Sequence, residues 1–369
     1  SSGVTGVSRI GNSSMGTLTT GTTLNFGGGI AFGGTYAGTK QSFDVNGPIS
    51  FHNITTGGNF SLDSTGNPIT ITGTITGGAV TDTVTITDGS GGLENSTISI
   101  GGAISNVRSV SLTADTSISL GGSITTTDGA NNDVIITGPA VLTGDVNIDV
   151  TANSGANGGD IKFTSTINDD NDSGTSADLT LDTDGGEILI SGLIGGNYAV
   201  DVIKLNQDDA THEGNITLHG IGSTAANGAG SGAATIGNAA TNLLDLTGAF
   251  HTGGDTIYEA KTGGTYIDFS NAGSAITSTV MTGASAGHDI TFKTSEIKIS
   301  DTKSLTVHSG TGDTTFTNIH GDANTATSDL TVNGATVKVF EIGLSTAPKQ
   351  INKVEITDST KVELNGAIY

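Results

Sequence analysis

The stretch ISIGGAISNVRSVSLTADTSISLGGSIT, residues 98–125, contains nearly the same phrase twice. An apolar-Ser-apolar-Gly-Gly phrase begins at Ile98 and returns 20 residues later, beginning at Ile118. Alternation of apolar and polar residues with a period of two is typical of a β-strand with one buried face. A repeat of roughly 20 to 30 residues is typical of a solenoid. The stretch therefore predicts two successive coils of one stack.

Short apolar-polar-apolar triplets recur along the whole chain. Each triplet buries only two side chains, so we expect the strands to gain stability by stacking coil upon coil. We therefore predict an all-β fold, a parallel β-helix or β-solenoid with short strands and glycine-rich turns. At about 25 residues per coil and ~4.8 Å per coil, the chain would form on the order of 15 coils in a rod roughly 70 Å long. The triplets begin at Ile49, Phe60, Ile69, Val84, Ile98, Val110, Ile118, Val146, Ile161, Leu179, Ile188, Ile203, Ile216, Leu244, Ile267, Ile290, Ile297, Leu305, Leu330, Val337, Val354 and Val362.

The composition favours a narrow core and an acidic surface. The 369 residues include 58 Gly, no Trp and no Cys, and only 4% are aromatic. The formal net charge is −23, from 13 Lys and Arg against 36 Asp and Glu. A field of this sign repels nucleic acid and anionic membranes, so we expect neither as a partner. The chain has no apolar run of the length that crosses a bilayer, so we also expect no membrane insertion.

Changes in regularity divide the chain into four predicted segments. Residues 1–44 are predicted to form an N-terminal cap or docking segment, and residues 45–220 a regular β-solenoid. Residues 221–336 are predicted to be a less regular solenoid with loop insertions, because Gly, Ala, Ser and Asn interrupt the triplets. Within them, the Ala-rich stretch 223–240 is interpreted as a glycine-broken loop.

Residues 337–369 are predicted to be C-terminal strands that form a cap or an inter-subunit docking segment. Open coil ends expose unpaired backbone groups, so a solenoid either caps them or associates through them. We expect end-to-end self-association into fibres, with the lysines of this segment meeting the acidic body of the next subunit. These lysines are Lys338, Lys349, Lys353 and Lys361.

An acidic run is the candidate metal site. Asp169, Asp170 and Asp172 are followed about one coil later by Asp182 and Asp184. Carboxylates gathered at a turn bind calcium, so the five residues are predicted calcium ligands. The alternative is that they are solvated turn residues, since Asp side chains form local hydrogen bonds in turns. Neither stretch fits the twelve-residue helix-loop-helix calcium pattern.

The residues that carry enzymatic chemistry are sparse, so we predict that the chain is not an enzyme. It contains only Arg9 and Arg108 as arginines, and its seven histidines are dispersed without metal-binding spacing. Cleavage of an anionic polysaccharide needs carboxylates near a base, usually with basic and aromatic residues for the substrate. Carboxylates brought together from distant coils remain an alternative.

Residues 158–197, GGDIKFTSTINDDNDSGTSADLTLDTDGGEILISGLIGGN, resemble the degenerate repeats of large bacterial surface adhesins of the filamentous-haemagglutinin-like type. The resemblance covers residues 45–220 and continues beyond them only as scattered triplets. It implies an extracellular, right-handed β-helical rod that attaches a cell to a surface, another cell or a matrix, or that forms an external fibre. The Asn-Pro-Asn-Gly-Ile phrase of the two-partner secretion domain is not found, which leaves the export route open.

These observations lead to one functional hypothesis and one alternative. The hypothesis is an extracellular structural β-solenoid that forms a self-assembling fibre or sheath, or an adhesin stalk, with cell-surface or matrix glycans as possible partners. The alternative is a polysaccharide-binding or polysaccharide-cleaving β-helix protein.

Overall fold

The computed structural model describes most of the chain from residue 48 onward. The described residues are 48–64, 66–88, 96–127, 132–150, 158–170, 176–207, 214–222, 233–261, 267–270, 287–294, 296–322, 328–343 and 350–369. The backbone alone is described for residues 8–10, 24–26, 30–32, 35–38, 41–45 and 274–278.

The regular elements of these residues are short β-strands, β1 to β39, and the described ladders are parallel. The prediction of an all-β, parallel β-solenoid is therefore confirmed. The chain divides into two compact units. The first comprises residues 1–170 and 181–186, and the second comprises residues 171–180 and 187–369. The strand β22 (Leu179–Thr183) lies across the boundary between them.

Strands of the first unit form three parallel stacks. Stack A consists of β1 (Ser8–Ile10), β3 (Ile30–Phe32), β6 (Ile49–Phe51), β9 (Ile69–Ile71), β12 (Thr97–Ile100), β15 (Ser117–Leu120), β18 (Ala140–Leu142) and β21 (Ile167–Asp169). Stack B consists of β4 (Thr35–Gly38), β7 (Asn53–Thr56), β10 (Ile75–Gly77), β13 (Ile104–Val107), β16 (Ile124–Thr126) and β19 (Val146–Val150). Stack C consists of β2 (Leu24–Phe26), β5 (Gln41–Val45), β8 (Phe60–Asp63), β11 (Thr83–Asp88), β14 (Ser109–Ala114), β17 (Val134–Thr137) and β20 (Ile161–Phe163).

The second unit also contains three stacks, and its longest strands pass from one stack to another. Stack D holds the ends of β23 (Ile188–Ile194) and β25 (Asn215–Ile221), then β28 (Phe250–Thr252), β31 (Ser274–Ser278), β34 (Ser304–His308), β36 (Asp329–Asn333) and β38 (Lys353–Thr357). Stack E holds β24 (Ile203–Leu205), β26 (Ala234–Ile236), β29 (Thr256–Glu259), β32 (Ile290–Lys293), the starts of β35 (Asp313–Gly321) and β37 (Thr336–Ile342), and β39 (Lys361–Leu364). Stack F holds the starts of β23 and β25, then β27 (Leu243–Leu246), β30 (Ile267–Phe269), β33 (Ile297–Ile299) and the ends of β35 and β37.

The repeated phrase places like residues directly above one another. Ile98 pairs in register with Ile69 on one side and with Ile118 on the other. Ile118 in turn pairs with Ala140, which pairs with Ile167. All five side chains are fully buried. The repeat is thus an interior column of stack A, in which each apolar residue is covered by its counterparts in neighbouring coils.

Aromatic residues form a similar interior column in stack E. Tyr258 pairs in register with Phe292, and their rings stack with centroids 5.2 Å apart. Phe292 also stacks on Phe316 at 5.0 Å. The Tyr258 side chain is fully buried, and burial raises the pKa of its phenol well above the usual value. This column adds three large rings to a core that is built mainly from Ile, Leu and Val.

Close approach of successive coils constrains the backbone at particular turns. Gly138, between β17 and β18, has a φ of 127°, and a Cβ there would lie 1.9 Å from the carbonyl oxygen of Ala114. A side chain at this position would therefore require both backbone strain and displacement of the adjacent coil. Asn106 has a φ of 56°, and its side-chain amide donates a hydrogen bond of 2.5 Å to the carbonyl of Gly77.

One predicted loop contains a strand. Within the stretch 223–240, residues 223–232 lie outside the described residues, but Ala234–Ile236 form β26. Ala234 and Ile236 are buried, and β26 pairs with both β24 and β29. The loop interpretation is wrong at these residues, because alanine at an interior position weakens the apolar-polar alternation that identifies a strand.

The predicted N-terminal segment, residues 1–44, contributes strands to the first unit. Its strands β3 and β4 pair with β6 and β7, and β5, which extends to Val45, pairs with β8. Whether the segment also acts as a cap stays a prediction.

Candidate functional site

The predicted calcium ligands occupy different environments. Asp169 ends β21 and is buried, whereas Asp170 is exposed. Asp172 lies outside the described residues. Asp169, Asp182 and Asp184 are only 5%, 2% and 3% exposed, so the alternative of solvated turn residues is wrong for these three.

The described residues do not gather these carboxylates into a metal site. No group of three or more His, Asp or Glu side chains in the described part of the chain is placed to hold a metal ion. A calcium site formed by Asp169, Asp170, Asp172, Asp182 and Asp184 therefore stays a prediction.

Stack F carries a line of charged side chains that the sequence did not identify as a group. Asp245 on β27, Asp268 on β30, Lys298 on β33 and His320 on β35 occupy successive in-register positions. Asp245, Asp268 and Lys298 each lie between two buried apolar residues of their strand, so alternation turns them away from the interior. His320 follows the buried Ile319 and is itself buried. We refer to these four residues as the charged ladder.

An ion pair with little exposure lies at the centre of the charged ladder. Lys298 Nζ lies 2.7 Å from Asp268 Oδ2, and the two side chains are 12% and 14% exposed. Ser300 donates a hydrogen bond of 3.1 Å to Asp268 Oδ1, and Ser270 donates one of 2.5 Å to Asp245 Oδ1. Burial raises the pKa of Asp268, partly offset by Lys298 and Ser300, while the charge of Asp245 raises it further.

Side chains of the charged ladder form hydrogen bonds that connect neighbouring coils. Both carboxylate oxygens of Asp268 accept hydrogen bonds from side chains of the next strand segment. At the end of the ladder, His320 is 1% exposed, and its Nδ1 donates a hydrogen bond of 2.6 Å to the carbonyl of Gly321. Its Nε2 faces Glu296 Oε2 at 3.5 Å. In the charged ladder, the positive charge of Lys298 on one coil thus balances the negative charge of Asp268 on the neighbouring coil.

A different kind of surface is formed by the C-terminal coil, defined here as β38, β39 and residues 367–369. The strand β38 pairs with β36 and β39 with β37, and Ile368 forms a parallel bridge with Ile342. Within the part of the chain that the structure describes, the opposite edges of β38 and β39 pair with no strand.

Apolar side chains accompany this open edge. Four of them, all except Tyr369, lie in register with residues that are fully or nearly buried in the preceding coil. They are themselves exposed because no described coil covers them. Val362 is 45% exposed, although its partner Val337 is fully buried. The exposed apolar residues are Val354 (38%), Val362 (45%), Leu364 (48%), Ile368 (61%) and Tyr369 (47%).

The described lysines of the C-terminal region are engaged by nearby acids. Lys353 lies 2.6 Å from Glu355, Lys361 pairs with Glu363, and Lys338 lies 3.3 Å from Asp313. Lys349 lies outside the described residues. The described lysines of this region are therefore paired with acids of the same chain, although Lys353 and Lys361 remain 58% and 63% exposed.

Comparison with known proteins assigns no family. Neither protein-family models nor curated proteins nor solved structures give a match to the chain. Among the described residues, no helix is long and apolar enough to span a membrane.

Proposed function

We propose that this chain is a structural part of an extracellular, right-handed β-solenoid that self-associates end to end into a fibre or sheath, or that serves as an adhesin stalk in attachment. The parallel, in-register stacking of the described coils is the single observation that supports this proposal most directly. A stack of this kind extends by adding further parallel coils to its edge strands. The resemblance of residues 158–197 to adhesin repeats supports the extracellular setting.

The occupant that fits the C-terminal coil is another parallel coil of the same kind. The described ladders of the second unit join parallel strands, and most of them place apolar residues over apolar residues. The exception is the ladder of β32 and β35, which places Thr314 over Ile290. Covering five half-exposed apolar side chains contributes on the order of 5 kcal/mol before the cost of association. Edge hydrogen bonds would fix the register, as they do between coils of one chain.

A second copy of the chain can supply that coil. The strands β1, β2 and β4 of the first unit each pair with one neighbouring strand, namely β3, β5 and β7. Their other edges are available among the described strands. Joining an edge of this kind to the C-terminal coil of another copy is a heterologous contact, and repeated heterologous contacts produce an open filament.

The net charge of −23 modulates this association. Repulsion between acidic copies opposes assembly at low ionic strength, and salt or divalent cations weaken that repulsion. Self-association should therefore increase between low and physiological ionic strength. We propose no enzymatic activity and no nucleic-acid or membrane partner, because the basic and aromatic residues that such functions use are scarce in the sequence.

Sedimentation velocity and electron microscopy test the proposal. We expect the sedimentation coefficient to rise with protein concentration, and images to show filaments with an axial repeat near one subunit length. A single monomeric species across the whole concentration range, with and without calcium, would contradict self-association. Antibody labelling of intact source cells tests the location separately, and labelling only after permeabilisation would contradict it.

A further inference from the structure

An open pocket of about 430 Å³ lies in the second unit, where β35 and β37 run beside the C-terminal coil. Its walls include Phe340 and Lys338 from β37, Thr315 and Asn318 from β35, and Asn365 from the segment after β39. This volume lies within the range of small-molecule sites in proteins. The proposed end-to-end contact uses other side chains, so the pocket requires an explanation of its own.

Phe340 is an unusual residue for this chain. It is 56% exposed, whereas the other seven phenylalanines whose side chains are described are at most 2% exposed. Because the ring lies beside a pocket, it offers a flat apolar surface to a ligand that enters there. The other seven are Phe51, Phe60, Phe163, Phe250, Phe269, Phe292 and Phe316.

Two carboxamides lie beside the ring. The side chains of Asn318 and Asn365 both line the pocket, and neither makes a hydrogen bond to another described residue. Each carboxamide offers two donors and one acceptor oxygen, and the hydroxyl of Thr315 adds a further donor and acceptor. The pocket therefore joins an apolar plane to a set of uncommitted neutral polar groups.

The charge of the pocket differs from that of the chain as a whole. Among the described residues that line it there is no carboxylate, although the chain carries a net charge of −23. Its one charged group is the ammonium of Lys338, which is 39% exposed and lies 3.3 Å from Asp313. A ligand with a neutral ring meets no opposing charge from the pocket walls. A ligand carboxylate directed at Lys338 would have to share the ammonium with Asp313.

We propose that this pocket binds a pyranose residue of a polysaccharide. A pyranose has an apolar C–H face that can lie on the Phe340 ring, and a rim of hydroxyls that the carboxamides and Thr315 can bind. A purely apolar ligand would leave the amides without partners, at a cost in free energy. This site rests on the attachment part of the proposed function and is independent of self-association, because it would bind glycan rather than another copy.

Affinity electrophoresis through gels that contain soluble polysaccharides tests the pocket. Laminarin and dextran are the neutral probes, and alginate and polygalacturonate are the uronate probes. We expect at least one probe to retard the wild-type protein, and Phe340→Ala to weaken that binding about tenfold. Asn318→Ala should also weaken it. Tyr198→Ala removes another exposed aromatic ring, which does not line the pocket, and should bind as the wild type does.

Each result has a defined meaning. If a uronate probe retards the protein and Lys338→Gln reduces that retardation, the proposal is supported and the carboxylate of the probe contacts Lys338. Retardation by a neutral probe supports the proposal without that contact. Absence of retardation of the wild type by all four probes, or equal retardation of Phe340→Ala and wild type, overturns it. Sedimentation of the same samples reports self-association separately, and an unchanged melting temperature shows that Phe340→Ala is folded.

Discussion

Val362 lies in register with Val337 on the adjacent strand, yet Val337 is fully buried and Val362 is 45% exposed. The two residues occupy equivalent positions in successive coils, and only the inner one is covered on both sides. The difference shows that burial in this fold comes from the next coil rather than from a lateral neighbour. The same contrast relates Val354 to Leu330, which is 1% exposed.

Val362→Asp should abolish self-association, because the substitution places a charge where the next coil would cover it. The monomer should keep its melting temperature within a few degrees, since Val362 is half-exposed there. Sedimentation velocity over a range of concentrations measures the effect. Val80→Asp is the matched control, because Val80 is 53% exposed and lies outside the C-terminal coil. The proposed interface would be contradicted if Val362→Asp and Val80→Asp assembled to the same extent as the protein concentration rises.

Ile100→Asp should destabilise the fold by about 4 kcal/mol or more, because it buries an unpaired charge in stack A. Ile100 is 2% exposed and lies between Ile71 and Leu120. Denaturant unfolding followed by circular dichroism measures the change in the free energy of unfolding. Ser99→Asp, on the same strand but on the partly exposed face, should cost less than about 1 kcal/mol. Similar costs for the two variants would mean that the assignment of Ile100, rather than Ser99, to the interior face of β12 is wrong.

Lys298→Met should destabilise the second unit by roughly 2 to 3 kcal/mol, because it leaves the Asp268 carboxylate without its cation in a site with little solvent. The control is Lys293→Met. Lys293 also pairs with an acid, Glu259 at 3.7 Å, but its side chain is 50% exposed. Loss of that pair should cost less than about 1 kcal/mol. Equal melting temperatures for the two variants would show that the charged ladder does not contribute to stability.

Asp88→Asn should change the pH dependence of stability. Asp88 is fully buried, and burial raises its pKa above the usual 3.8 despite a hydrogen bond of 2.7 Å from the Ser64 hydroxyl. A raised pKa in the folded state means that Asp88 stabilises the fold below its unfolded-state pKa. That contribution is lost as the pH rises through the folded-state value. The difference in unfolding free energy between the two proteins should therefore shift in favour of Asp88→Asn between pH 4 and pH 7.

Urea unfolding of both proteins at several pH values measures that difference. The other acidic groups titrate in both proteins, so their effect cancels in the comparison. A constant difference across the range would show that Asp88 has an ordinary pKa in the folded state.

The interior columns could be predicted from the sequence because the residues that stack are chemically alike. Ile98 and Ile118 begin the same phrase, and the structure pairs them in register. The charged ladder could not be predicted in this way. Asp245, Asp268 and Lys298 are each the middle residue of a recognised triplet, but unequal loop lengths between triplets conceal which coils are adjacent.

The exposure of Phe340 had a weak signal in the sequence. The alternation of apolar and polar residues along β37 is interrupted at Phe340, an apolar residue that directly follows the apolar Val339. At this point the strand passes from stack E to stack F. An apolar residue at such a break is turned outward, but only the structure shows that two asparagines lie beside it. The burial of Asp182 and Asp184 had no comparable signal, since Asp in a run of turn residues usually indicates solvent exposure.

In-register stacking does not depend on the number of residues between the stacked positions. Ile69 and Ile98 pair in register just as Ile98 and Ile118 do, although the first pair is separated by a longer stretch of chain. Segments between strands can therefore lengthen outward at a small entropic cost that grows only slowly with their length. The scaffold is suited to grafting foreign peptides between strands, where several epitopes could be displayed at fixed vertical intervals without redesign of the interior.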